Sequence, residues 1–129
     1  ESHGGQSGLT VRRSATTTLK IRDVAQGGSD LVAEYVKEFG GTRPLTRILI
    51  ASNGMAATKA MTSLRNWAFA ESGVDNVFEF IAMATRDDLD ANAEFIRLAD
   101  SYVEVPPGKN VNNYANVDLI CKIAQQQKA

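Results

Sequence analysis

The clearest pattern in the chain is a short apolar run followed at once by small and polar residues. Residues 48–50 read Ile-Leu-Ile, which is typical of a strand buried on both faces of a sheet. Gly54 follows where the chain has to turn sharply, and Ser52 and Asn53 are both residue types that cap helices. The pattern predicts a strand, a tight turn and the start of a helix, which is the beginning of an α/β unit.

Two stretches with apolar residues at helical spacing predict the first two helices. One covers residues 30–39 with Ser29 as its cap, and the other covers residues 55–71 and ends at Gly73. Trp67 is expected to be a core or subdomain contact rather than a platform for a ligand. The predicted apolar faces comprise Leu31, Val32, Tyr35, Val36 and Phe39 in the first helix, and Ala56, Ala57, Ala60, Met61, Leu64, Trp67 and Ala68 in the second. The other side of the second helix is predicted to carry Lys59, Thr62, Ser63, Arg65 and Asn66.

The second half of the chain repeats the alternation of strands and helices. Residues 77–84 and 101–105 predict two further strands. Between them, Thr85 is expected to cap a helix with an acidic first turn, and a short helix follows over residues 92–99. Its inward side chains are Phe95, Ile96 and Leu98, while a last helix after the Asn-rich segment turns Val117, Leu119, Ile120, Ile123 and Ala124 inward, with Cys121 as a small core residue beside them.

This order of elements predicts an α/β fold, a Rossmann-like parallel sheet with flanking helices. A βα unit normally returns to the sheet, yet the chain stops in a helix at residues 125–129, so we expect a fold truncated before its next strand. Residues 1–28 are rich in Gly, Ser and Thr without periodicity and predict a disordered tail. Residues 29–129 are then the folded unit.

Composition excludes several classes of function. A net charge of −1 without a basic stripe does not indicate nucleic acid as a partner. Cys121 is the only cysteine and His3, in the tail, the only histidine, which leaves no internal disulfide and no His-based dyad or zinc site in the fold. No apolar run approaches the roughly 20 residues that span a bilayer, and no secretory signal is present.

Two segments are weak candidates for binding chemistry. The turn at Ser52, Asn53 and Gly54 places backbone N–H groups at the carboxyl end of a strand, which favours anions. It lacks Gly-x-Gly-x-x-Gly and a Walker lysine, so a plain joining turn is the simpler interpretation. The carboxylates at 87, 88 and 90 resemble a metal cluster, but complementarity with the helix dipole explains them more simply, and no metal site is expected.

Three blocks carry a resemblance to a known family. Residues 48–57, residues 88–100, and residues 103–106 followed by 112–120 resemble the start of the biotin carboxylase domain of eukaryotic acetyl-CoA carboxylases, over about residues 31–124. The related domains of pyruvate, propionyl-CoA and bacterial carboxylases typically read Ala-Asn-Arg-Gly-Glu-Ile-Ala at the first turn. Here Gly54 is followed by Met-Ala-Ala, which favours the eukaryotic type, although Ser52 stands where that type usually has Asn.

The resemblance implies an enzyme of which this chain is one structural piece. Such ligases use ATP, bicarbonate and Mg or Mn to carboxylate biotin on a carrier domain, and a carboxyltransferase domain then converts acetyl-CoA into malonyl-CoA for fatty-acid biosynthesis. The catalytic and cofactor-binding residues lie in the downstream ATP-grasp part, so this pre-ATP-grasp subdomain is expected to be inactive alone. The whole enzyme is expected to be a cytoplasmic homo-oligomer, with a plastid-type organelle as the alternative location.

The resemblance also suggests regulation, and one rival function stays open. The helix face with Lys59, Thr62 and Ser63 matches an inhibitory site for macrocyclic polyketides, although the family usually has Arg where Thr62 stands. Ser7 lies in a segment similar to the phosphorylated serine segment of animal enzymes, without its upstream Arg. The rival is a free-standing α/β module that binds a nucleotide or a partner at the Ser52–Asn53–Gly54 turn.

Overall fold

The computed structural model describes residues 28–129, with side chains from residue 30 onward. The predicted phosphorylation site at Ser7 and, except for residue 28, the predicted disordered tail of residues 1–28 lie outside the described residues. The helices and strands follow in the order α1 (Gly28–Glu38), β1 (Arg47–Ile50), α2 (Gly54–Ser72), β2 (Glu79–Ala84), α3 (Arg86–Asp90), α4 (Glu94–Leu98), β3 (Ser101–Glu104) and α5 (Val117–Gln127), with a 3-10 turn at Asn110–Asn112.

The three strands form one parallel sheet with β2 in the centre. The order is β1-β2-β3, and the register pairs Ile50 with Ala82 and Ala84 with Glu104. The β2 side chains from Phe80 to Ala84 are fully buried, as the continuous apolar run predicts for a central parallel strand. The predicted α/β class and the parallel sheet with flanking helices are therefore confirmed.

Alternation along the strands gives the sheet two apolar faces, each covered by helices. One face presents Ile50, Phe80 and Ala82 to side chains of α1, α2 and α4. The opposite face presents Met83 and neighbouring apolar side chains to α5. Helices thus pack on both sides of the sheet. The buried helix side chains are Val32, Ala57, Met61, Ala68 and Phe95 on the first face and Ile123 on the second.

A row of aromatic rings runs from α1 to the centre of the sheet. Tyr35 meets the edge of Trp67 at 5.0 Å between ring centroids, and Trp67 lies 6.0 Å from Phe78, which in turn lies 6.1 Å from Phe80. Aromatic pairs in this range are attractive beyond their buried area. The predicted core role of Trp67 is confirmed.

Several predicted boundaries were wrong by one to two residues. Helix α1 begins at Gly28, so Ser29, the predicted cap, lies within the helix. Phe39 lies past the end of α1 and is 69% exposed, although its ring stacks on Tyr35. Val77 and Phe78 are buried but precede β2, and α4 starts at Glu94 because Asn92 adopts a positive φ of 50°.

Besides Phe39, four predicted core side chains face the solvent instead. Ala56 and Ala60 of α2, and Val117 and Cys121 of α5, are exposed. In α5 the sheet-facing side chains centre on Ile123, and Cys121 lies two residues before it, a rotation of about 200° around a helix with 3.6 residues per turn. Cys121 therefore points away from the sheet, and its prediction as a core residue was wrong. Within the described residues, no helix is long and apolar enough to cross a membrane.

Candidate functional site

The carboxyl ends of the three strands meet at one edge of the sheet, the carboxyl edge, where ligands bind in open α/β folds. The turn through Gly54 follows β1, Thr85 follows β2, and residues 105–113 follow β3. The candidate site consists of these three segments.

The turn after β1 has the predicted shape but not the predicted caps. Asn53 is extended (φ −126°, ψ 179°) and occupies the N-cap position of α2, yet its side chain makes no capping hydrogen bond. Gly54 has φ +58°, and a Cβ built there would meet nothing within 4 Å. Glycine is required by the left-handed backbone and not by crowding. The prediction of side-chain capping by Asn53 was therefore wrong.

The segment after β2 is fixed by a side-chain cap that the sequence did predict. Thr85 Oγ1 accepts a hydrogen bond from the Asp88 backbone N–H (3.2 Å) and donates to Asp88 Oδ2 (2.8 Å). Thr85 is buried. The cap satisfies a first-turn amide of α3, a helix of only five residues that is too short to be stable by itself.

Tyr114 joins this cap to the segment that follows β3. Its hydroxyl donates to Asp88 Oδ2 (2.5 Å), accepts from the Thr85 backbone N–H (3.3 Å), and lies 3.3 Å from the Met83 carbonyl oxygen. Burial, and next the hydrogen bond to Asp88, raise the pKa of Tyr114 well above its usual range. The hydroxyl therefore stays protonated at neutral pH and acts as a fixed donor.

The Asn113 side chain fixes the loop between β3 and α5 by hydrogen bonds to the backbone of that loop. The side chain is 1% exposed; its Nδ2 donates to the carbonyl oxygens of Pro106 (3.0 Å) and Gly108 (3.2 Å), and its Oδ1 accepts from the Tyr114 N–H (2.7 Å). We call Thr85, Asp88, Asn113 and Tyr114 the polar cluster. No buried side-chain N or O atom in the described residues lacks a hydrogen-bond partner.

The acidic residues near the cluster do not converge. Asp87 and Asp90 are exposed, whereas Asp88 is taken up by the polar cluster. Arg86 forms an exposed ion pair with Glu104 (2.9 Å) across the ends of β2 and β3. Within residues 28–129, no three His, Cys, Asp or Glu side chains are grouped as a metal site requires. What the described side chains do at this edge is hold two loops in one geometry.

The predicted regulatory face lies on the outside of α2. Lys59, Thr62 and Ser63 are all exposed. The sequence interpretation also placed Arg65 on this solvated side, which was wrong. Arg65 is half-buried, donates from Nη1 to the Leu98 carbonyl oxygen (2.6 Å), and sits 5.0 Å from the centroid of the Phe80 ring.

Sequence reasoning missed Asn113 and Tyr114 as members of the site. The local sequence pattern predicted the Thr85 cap because Thr85 and its partner Asp88 are three residues apart. Tyr114 is 26 residues from Asp88 and 29 from Thr85, so no local spacing relates them. The sequence does show the pair Asn113 and Tyr114 shortly before the last helix, but by itself such a pair indicates only a loop.

Comparison with protein families and curated proteins gives consistent matches. The family model for "Biotin carboxylase, N-terminal domain" matches residues 44–129. The acetyl-CoA carboxylase of Saccharomyces cerevisiae is 55% identical over 93 residues, covering 72% of this chain and 4% of that protein. The acetyl-CoA carboxylase of Schizosaccharomyces pombe is 44% identical over 125 residues, covering 92% and 6%. The chain thus spans only a small part of these relatives.

Solved structures show the same fold at low sequence identity. The urea carboxylase of Kluyveromyces lactis superposes with a TM-score of 0.52 and 22% identity, covering 68% of this chain and 7% of that one. The pyruvate carboxylase of Rhizobium etli gives a TM-score of 0.51 and 17% identity, covering 67% and 8%.

Proposed function

The chain belongs to the biotin carboxylase N-terminal domain family, and from that premise we propose that it is the first subdomain of the biotin carboxylase component of an acetyl-CoA carboxylase. The observation that carries the proposal is the 55% identity with the Saccharomyces cerevisiae acetyl-CoA carboxylase over 72% of this chain. In this proposal the complete enzyme couples ATP cleavage to the carboxylation of biotin and then forms malonyl-CoA for fatty-acid biosynthesis.

The role of this subdomain is structural: it forms one wall of the active-site cleft and supports the neighbouring subdomains. One feature of the described residues supports that role: the carboxyl edge carries two loops held by the polar cluster. On the family assignment, ATP, Mg or Mn, and biotin are assigned to the downstream parts of the enzyme, with bicarbonate and acetyl-CoA as the other substrates.

Calorimetry on two proteins tests the proposal. One is this chain, and the other is the same chain continued through the downstream ATP-grasp part; each is titrated with Mg-ATP and assayed for biotin- and bicarbonate-dependent ATP hydrolysis. We expect binding and hydrolysis only in the longer protein. Acetyl-CoA, and neither pyruvate nor propionyl-CoA, should then accept the carboxyl group in the complete enzyme.

Tight binding of ATP by the chain alone would overturn the proposal in favour of the free-standing nucleotide-binding module. Gly54→Ala provides the matched test of that alternative, because the substitution strains the turn at Ser52 and Asn53 without steric contact. A module that binds nucleotide at this turn should lose affinity in Gly54→Ala. If the chain is a carboxylase subdomain, Gly54→Ala should change the ATP affinity of the longer protein by no more than about twofold, since the nucleotide is bound elsewhere.

We also propose that the exposed face of Lys59, Thr62 and Ser63 is an inhibitory surface with weakened affinity for macrocyclic polyketides, since Thr62 supplies no cation. Thr62→Arg in the complete enzyme should strengthen inhibition by such a polyketide, and Lys59→Ala should weaken it. Gln126→Arg, at an exposed position of α5, is the charge-matched control. Equal inhibition of all three variants would show that this face is a solvent-exposed helix surface that does not bind the inhibitor.

From the same premise we propose a cytoplasmic homo-oligomeric enzyme, with a plastid-type organelle as the alternative location. One relative, 45% identical over 108 residues, is named a mitochondrial acetyl-CoA carboxylase of Saccharomyces cerevisiae. Fractionation of cells that express the complete protein, followed by size-exclusion chromatography, distinguishes these outcomes.

A further inference from the structure

The polar cluster joins three separate segments at the carboxyl edge, which the proposed function assigns to one wall of the active-site cleft. The Tyr114 hydroxyl contacts the end of β2 through the Met83 carbonyl and the start of α3 through the Asp88 carboxylate. It also contacts the backbone N–H of Thr85, which lies between them. Asn113, its neighbour in sequence, binds the loop that leaves β3. Two consecutive residues thus fix both loops that follow β2 and β3.

Stability alone is a poor explanation for this arrangement. A hydrogen bond inside a protein contributes only about 1 kcal/mol net, because the same groups bond to water in the unfolded chain. A fully satisfied buried network chiefly specifies one geometry. Within the described residues the buried side-chain atoms of the cluster are all satisfied, so what the cluster supplies is a defined arrangement of the two loops.

Among the described residues, the other contacts of these loops are the exposed Arg86–Glu104 ion pair, the long Asn112–Pro107 bond and backbone hydrogen bonds. Helix α3 has five residues and contains no buried side chain. The connection from β3 to α5 contains only the three-residue 3-10 turn, and Lys109 and Val111 on it are exposed, the valine to 66%. Both loops lie where parallel α/β sheets meet their ligands. The geometry set by the cluster is therefore the geometry offered to whatever lies against this edge.

We propose that Asp88, Asn113 and Tyr114 are positioning residues for biotin carboxylation, which hold the two loops as the wall against which the downstream part of the enzyme places its substrates. This inference rests on the proposed function. None of the three side chains is assigned contact with a reacting atom, and their effect passes through the backbone of the two loops.

The test compares Tyr114→Phe with a matched variant in the complete carboxylase. Arg47→Gln is the control because Arg47 also ties distant segments, donating from Nε to the Gln127 carbonyl oxygen (2.6 Å), but at the opposite edge of the sheet. Thermal unfolding, kcat, and the KM values for ATP, bicarbonate and biotin are measured for each. Loss of a folded fraction lowers the apparent kcat and leaves KM unchanged, whereas displaced loops change KM.

We expect both variants to lower the thermal midpoint and only Tyr114→Phe to raise at least one KM, by about tenfold, which corresponds to a loss of about 1.4 kcal/mol of substrate binding. Asp88→Ala should raise the same KM, and the double variant should be no worse than the more affected single one. Asp88→Ala also serves if Tyr114→Phe does not fold.

All three KM values within about twofold of wild type in the folded variants would overturn the inference and leave the cluster a purely structural role. A wild-type enzyme without biotin-dependent ATP hydrolysis is a different result. That outcome would contradict the proposed function itself, so the wild-type activity is measured before any variant is compared.

Discussion

Asn113→Ala removes three hydrogen bonds with one substitution. The side chain is almost fully buried, and its bonds to the Pro106 and Gly108 carbonyls and from the Tyr114 N–H measure 3.0, 3.2 and 2.7 Å. Because the loop residues 106 and 108 are exposed, water can replace the amide at their carbonyl oxygens. The Tyr114 N–H is bonded to the buried Asn113 side chain and loses that acceptor.

The expected magnitude follows from that difference. A buried donor left unsatisfied costs about 1–3 kcal/mol, and the two replaceable bonds contribute about 0.5 kcal/mol each. The free energy of unfolding should fall by about 3 kcal/mol in total. Asn113→Asp should destabilise at least as much, because the carboxylate keeps the acceptor for Tyr114 but places a negative charge against two carbonyl oxygens.

Urea unfolding followed by the fluorescence of Trp67, the only tryptophan, measures the change. Trp67 lies in α2 among the aromatic rings, so a shifted midpoint there reports cooperative unfolding rather than local opening at residue 113. The matched control is Asn112→Ala, since the Asn112 side chain is exposed and makes a single long bond to the Pro107 carbonyl (3.4 Å). The control should cost less than about 0.5 kcal/mol. Equal costs for the two variants would refute the reasoning.

Three further results are expected. Gly54→Ala should lower the free energy of unfolding by about 1 kcal/mol in urea titrations, because φ is +58° although the Cβ meets no atom, and Gly54→Asn should lower it less since Asn tolerates left-handed φ. The pKa of Tyr114 is raised in the fold, so an unfolded tyrosine releases its proton near pH 10 while the folded one keeps it; stability should fall as the pH rises above about 10, and Tyr114→Phe should reduce that fall. Cys121 is exposed, so a thiol reagent should modify it in the native protein as fast as in urea, and a markedly slower native reaction would contradict its position.

Local patterns in the sequence were sufficient for most of the fold. The apolar run at 48–50 predicted β1, Gly54 predicted the turn, and the Thr85 cap was found with the bonding partner that its spacing implies. Each of these depends on residues within a few positions of one another, where steric rules for the backbone and the capping of amides act directly.

The errors arose where distant segments decide the outcome. Cys121 was assigned to the core because it lies among apolar neighbours, but the face that α5 buries is set by the sheet on which it packs. Arg65 was assigned to the solvent, whereas the Leu98 carbonyl and the Phe80 ring draw it inward. The bond from Tyr114 to Asp88 likewise depends on which strands become neighbours. These contacts follow from the assembled sheet rather than from any single stretch.

The placement of α5 on the opposite face from α2 and α4 determines where the sheet can grow. Crossover connections between parallel strands are right-handed, so helices on the first face carry the chain from β1 to β2 and on to β3, and a helix on the other face must carry it back. On the way back from β3, the next positions in the sheet are already occupied by β2 and β1. The Gln127 end of α5 contacts Arg47 of β1. A strand that follows α5 is therefore directed to the free side of β1. The winding of the sheet would reverse beside the Gly54 turn, and the crevice that such a reversal opens would lie at the first loop of the domain.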